Sequence, residues 1–209
     1  PPAPPTAAAA KVASADVPPA AVVKTWQFYA LVGLFIGSAQ AGLLVIANAT
    51  VIQKSATAGV AFLAANAWLL AAFGGVVNAS GRVGTGSYSD GIGRVNAFGL
   101  NGLAAAACLF ALPAVVAAGN VWLLFAAVGV VYWQYGGTLA LMPAWTADFY
   151  GAKNLGVNYG LVFLGWGVAF FVPQLAAEIK DATGSMDLAF YLSGGLLVAA
   201  VAASRAVRK

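Results

Sequence analysis

Histidine is absent from this chain, cysteine occurs once, and acidic side chains number six. Without histidine, and with its one thiol at Cys108 inside an apolar run, the sequence lacks the ligand set of a zinc or haem site. A lone cysteine also excludes a disulfide framework. No metal and no other cofactor is expected. None of the acids stands in the middle of an apolar run. That leaves no acid–base pair and no activated nucleophile, so the chain does not read as an enzyme and offers no catalytic residue. It also leaves no carboxylate or imidazole to relay protons across a membrane. No basic cluster stands beside exposed aromatics, so nucleic acid is not an expected partner.

Charge of either sign is scarce. Charged residues make up 8% of the chain, hydrophobic ones 62%, and the mean hydropathy is +0.87. Soluble domains carry about 25% charged residues, because their surface must face water. The solvent of this chain is therefore lipid, and the useful unit is the span of about 20 apolar residues that crosses the hydrocarbon as a helix. Charges mark the span ends. None lies between Lys24 and Lys54, Lys54 and Arg82, Arg94 and Asp148, Lys153 and Glu178, or Asp187 and Arg205. The third gap is roughly double the others and folds back at Gly119–Asn120. The reading is an all-α transmembrane bundle of six spans, about 26–50, 59–86, 96–117, 121–145, 156–177 and 187–204.

An even count puts both termini on one side. With the termini inside, that side holds Lys11, Lys24, Arg82, Arg94, Lys153, Arg205, Arg208 and Lys209, against only Lys54 and Lys180 outside. The positive-inside bias then makes both termini cytoplasmic, in an inner or plasma membrane. The sequence pI near 9.4 follows from that bias. Residues 1–23, "PPAPPTAAAAKVASADVPPAAVV", read as a disordered Pro/Ala-rich linker, and 206–209 as a short tail. No basic region followed by an apolar stretch and a cleavage site opens the chain, so no signal peptide is expected. Within the spans, Gly33, Gly37 and Ala41 form a small-residue face suited to close helix packing. Pro113, Pro143 and Pro173 suggest kinks.

The turn "GTGSYSDGIGR" sets Gly86, Asp90, Gly93 and Arg94 at the spacing G-x-x-x-D-x-x-G-R. It resembles the signature loop of the major facilitator superfamily, with Gly91 where a second basic residue is usual. Asp90 can pair with Arg94 or with helix N-terminal amides, which assigns this group to conformational gating. A longer stretch, "MPAWTADFYGAKNLGVNYGLVFLGWGVAFFVPQLAAEIKDATGSMDLAFY" (142–191), closely resembles the last three helices of the oxalate/formate antiporter family. The resemblance covers about residues 24–205 and matches the carboxy-terminal half of a twelve-helix transporter. It implies a 3+3 inverted repeat, with residues 1–23 as part of the central cytoplasmic loop. It also implies partners: the lipid bilayer, a small organic anion, and a missing amino-terminal half or a second copy.

Arg82 then gains a role. With the second helix ending near 86–89, it lies about 6–10 Å inside the helix end. An arginine there costs on the order of 3 kcal/mol unless it faces a cavity or partner, or snorkels to the headgroups. In the family, the arginine at this place holds the substrate carboxylate, a task that suits a planar, permanently charged guanidinium. Asn78 lies one turn earlier on the same face. Trp133 and Tyr135 in "VYWQYGGT" offer N–H and O–H donors to the anion path. Tyr159, Phe163, Trp166 and Phe170 recur at helical spacing, a pattern that more often means packing. Family members that carry oxalate place a lysine near Trp166. The substrate-binding candidates are thus Arg82, Asn78, Trp133, Tyr135 and Trp166. The function expected is exchange of small organic anions, monocarboxylates over oxalate, by alternating access. The alternative is a truncated or accessory bundle that transports nothing.

Overall fold

A computed structural model describes residues 16–207. Its helices are α1 (Pro19–Val22), α2 (Trp26–Ala56), α3 (Ala61–Ala65), α4 (Leu69–Ile92), α5 (Arg94–Ala118), α6 (Val121–Tyr150), α7 (Leu155–Val162), α8 (Leu164–Ala169), α9 (Val172–Thr183) and α10 (Asp187–Ser204). Local chemistry sets several ends. Thr25 caps α2 by accepting from the Phe28 N–H at 3.4 Å, and Asn120 caps α6 by accepting from Leu123 at 3.1 Å. Gly119, at φ 63°, takes the left-handed turn that closes α5.

Five stretches are long and apolar enough to cross a membrane: α2, α5, α6, the α7–α9 run and α10. The protein is an all-α integral membrane bundle. α4 has the length of a span, but Asn78, Ser80, Arg82, Thr85, Ser87, Ser89 and Asp90 make it more polar than the others.

Packing follows a two-fold pattern. α2 and α6, which open the two triplets of spans, pack on each other at the centre. α4 packs on α6 while α8 and α9 pack on α2, and α5 packs on α6 while α10 packs on α2. α5 and α10 then close against one another. Such an exchange of places is what an inverted repeat produces. Polar side chains tie the interior where no hydrophobic effect holds helices together. Ser38 of α2 bonds Thr138 of α6 at 2.6 Å, and both accept from the Gln134 amide. Ser193 of α10 donates to Gln40 of α2 at 2.8 Å.

Three features differ from the sequence reading. Of the segment 1–23, expected to be a disordered linker, residues 16–23 are placed, with α1 among them and Val22 fully buried. Residues 1–15 lie outside the described residues, as do Arg208 and Lys209. The second span is not one helix over 59–86, because α3 breaks off at Ala65 and α4 continues to Ile92. The turn holding Gly86 and Asp90 is therefore helical, and only Gly93, at φ 87°, forms the corner. The fifth span is interrupted at Phe163 and again at Phe170–Phe171. Its aromatic stripe survives the breaks as a ladder, with Phe163 stacked on Trp166 at 5.2 Å.

Candidate functional site

Arg82 and Asn78 stand one turn apart on α4, and the Arg82 Nε–H donates to Asn78 Oδ1 at 3.4 Å. Asn78 is itself held in place, because its backbone carbonyl lies against Gly136 of α6. The continuation of α4 to Ile92 puts Arg82 ten residues from the helix end. At a 1.5 Å rise that is about 15 Å, deeper than the sequence reading allowed. Among the described residues the ion pairs fall on Arg94, and none on Arg82, which is exposed at the helix surface.

Tyrosines of two other helices lie within electrostatic range of this guanidinium. Its charge acts on Tyr135 of α6 and on Tyr159 of α7. The Trp166 Nε1–H donates to Tyr135 Oη at 2.8 Å. Trp166, read from the sequence as standing where oxalate carriers place a lysine, thus spends its indole N–H on Tyr135. Tyr135, accepting through its lone pair, keeps its own O–H proton to give. Tyr159, read from the sequence as packing, belongs to the cluster. Its signal was there in the stripe, but only the fold shows which end of the stripe comes within range of a cation's charge.

Trp133 does not join them. Its ring lies against Gly84 and its backbone against Gly81, both of α4. It lines a groove of about 390 Å³ with Phe73, Val77, Leu100 and Asn101. Tyr135 instead packs its ring on Gly42 of α2. Two positions along a helix are about 200° apart, so neighbouring donors in "YWQY" serve opposite faces.

The group expected from the sequence to act in gating has an ion-pair partner that the sequence reading missed. Arg94, at the start of α5, pairs with Asp90 at 2.6 Å and with Asp148 at the end of α6 at 3.2 Å. It also donates to Ser89 Oγ. Asp90 is more exposed than Asp148, and only Asp148 ties Arg94 to a helix outside the α4–α5 corner. Gly86 meets nothing that a methyl group would touch. Because Asp148 makes the tie between helices, Asp148→Asn should raise maleimide labelling of a cysteine placed at the α4–α5 corner more than Asp90→Asn does. Equal effects of the two would assign the gating role to the corner alone.

The class these observations define is a helical integral membrane bundle with an exposed arginine ten residues inside one helix end and two tyrosines of other helices within range of its charge. No family model matches the chain. Over 142 residues it is 32% identical to a protein named as the uncharacterized MFS-type transporter YhjX of Escherichia coli (strain K12), covering 68% of this chain and 34% of the relative. The similarity supports membership of the major facilitator superfamily. The chain spans about a third of the length of that relative.

Proposed function

We propose that the chain carries small organic anions by exchange, monocarboxylates in preference to oxalate, as one half of an alternating-access transporter of the oxalate/formate antiporter type. The other half is an amino-terminal six-helix bundle or a second copy, and both termini face the cytoplasm. The observation that carries this reading is Arg82, exposed deep on α4, with its charge acting on Tyr135 and Tyr159. A carboxylate leaving water costs several kcal/mol unless a charge and hydrogen bonds replace its hydration, roughly the tasks of a guanidinium and a phenol. Asn78 orients the guanidinium through Nε, which leaves its two terminal nitrogens for a bidentate contact. Trp166 orients Tyr135 and, stacked on Phe163, presents an apolar wall to the small organic part of the substrate.

The cluster supplies one positive charge. A monoanion such as formate, lactate or pyruvate is neutralised by it, and a dianion is not. Counterflow uptake into proteoliposomes, using the full-length protein and equal concentrations of labelled lactate and oxalate, tests this directly. Lactate should be preferred. Trp166→Lys should shift preference toward oxalate by at least about tenfold, since a charge-assisted hydrogen bond contributes about 1.5–3 kcal/mol. Tight oxalate binding by the unmodified protein would mean that a second cation comes from the other half.

A further inference from the structure

The segment ahead of the first span is tied to a helix far from it in sequence. Val17 donates its N–H to the Tyr150 carbonyl at 3.0 Å. The Val17 carbonyl accepts from Asn154 Nδ2 at 3.3 Å and from Asn158 Nδ2 at 3.1 Å. Asp16 Oδ1 accepts from the Lys153 N–H at 3.1 Å, and Thr25 Oγ1 shares a proton with Tyr150 Oη at 2.8 Å. All five contacts fall on the corner where α6 turns into α7 or on the first turn of α7.

The corner uses its own polar groups for this and not for itself. Asn154 occupies the N-cap position of α7, yet its side chain makes no capping bond there and reaches Val17 instead. A cap of this type normally contributes about 0.5–2 kcal/mol to its own helix. Asn158 is fully buried, and its Oδ1 has no partner while its amide holds the strap. A buried, unpaired acceptor is costly and calls for an explanation.

The helix so held is the one least able to hold itself. The Leu155–Thr183 run buries 22% of its apolar window, against 33–61% for the other membrane-length helices. It is broken at Phe163 and at Phe170–Phe171, so its segments can bend separately. Gly151, at φ 81°, forms the corner beneath it. Tyr159 follows Asn158 directly and lies within electrostatic range of Arg82.

We infer that residues 16–25 form a releasable strap that fastens the first turn of α7 to the start of α2, with Asn158 as its anchor. While fastened, the strap fixes the placement of Tyr159 relative to Arg82. Its release lets α7 swing about the Gly151 corner and the Phe163 break. A pull on the chain upstream of Asp16 is therefore transmitted to α7 without passing through the packed core.

The test is labelling, so it stands apart from the choice of substrate. In the intact protein in proteoliposomes, with Cys108→Ala as background, Gly156→Cys places a reporter on α7 where an added side chain meets nothing within 4 Å. Val17→Pro removes the donor to Tyr150 and keeps the Val17 carbonyl. Asn158→Ala removes the anchor. Each should raise the maleimide labelling rate roughly fivefold, the shift expected for losing one net hydrogen bond. The double variant should label faster than either single one, up to about twenty-fivefold or to the rate of the fully released strap, because two bonds of one two-state contact add in free energy. Asp16→Ala, at an exposed position, should act in the same direction and covers the case in which Asn158→Ala fails to reach the membrane. Unchanged labelling in Val17→Pro and Asp16→Ala would overturn the proposal, as would a double variant that labels no faster than the unmodified strap.

Discussion

Arg82→Ala should abolish carboxylate counterflow in proteoliposomes while membrane expression stays near normal. The guanidinium is exposed on α4 and is not part of the buried clusters, so its loss leaves the packing intact. Its removal leaves the substrate charge without a partner inside the membrane. Truncating one partner of a desolvated charge pair costs about 2–5 kcal/mol, so uptake should fall by about thirtyfold or more. Arg82→Lys separates charge from geometry. Lysine keeps the charge, but it cannot bond Asn78 through a planar nitrogen while offering two more donors in a fork. Uptake in this variant should stay strongly reduced. Wild-type transport by Arg82→Ala would remove Arg82 from the site and leave it as a residue that snorkels.

Gly136→Val should prevent the bundle from assembling. α4 and α6 make the most extensive helix–helix contact of the fold, and glycines on both sides bring their backbones together. A methyl group at Gly136 would overlap the Asn78 carbonyl, and one at Gly81 would lie 2.5 Å from the Trp133 carbonyl. Backbone cannot rotate aside as a side chain can. Each forced group costs about 1–3 kcal/mol, and valine forces more than one. The measurement is the yield of monodisperse protein in detergent and its thermal midpoint. Gly33→Ala is the control, because nothing lies within 4 Å of an added carbon there. It should change stability by no more than about 0.5 kcal/mol. Equal loss in both variants would show that glycine content, and not this contact, governs assembly.

Gly33 and Gly37 also measure what could be read in advance. Their spacing marks a small-residue face, and Gly37 does pack closely, with an added carbon 2.7 Å from Ala200 Cβ. Gly33, one turn away, touches nothing. Spacing places residues on a face but does not say how far along it the neighbouring helix stays close. Arg94 gives the same lesson for charge. Its Asp90 partner is four residues away and visible in the motif, whereas Asp148 is 54 residues away and stands in an unremarkable "TADFY".

The sequence by itself determined the class of solvent, the apolar runs that become helices, the end of each run where charge collects, and Arg82 as the cation out of place. These follow from the transfer free energy of about 20 consecutive side chains, a quantity local to the chain. Only the tertiary structure decided that Tyr135 and not Trp133 meets the arginine's side, that Trp166 spends its N–H on Tyr135, and that residues 16–25 fasten α7. Each of these depends on how helices are rotated about their axes and which distant segment fills the space beside them. That rotation is settled by packing across the whole bundle, where one position along a helix turns a side chain by about 100° and changes its partner.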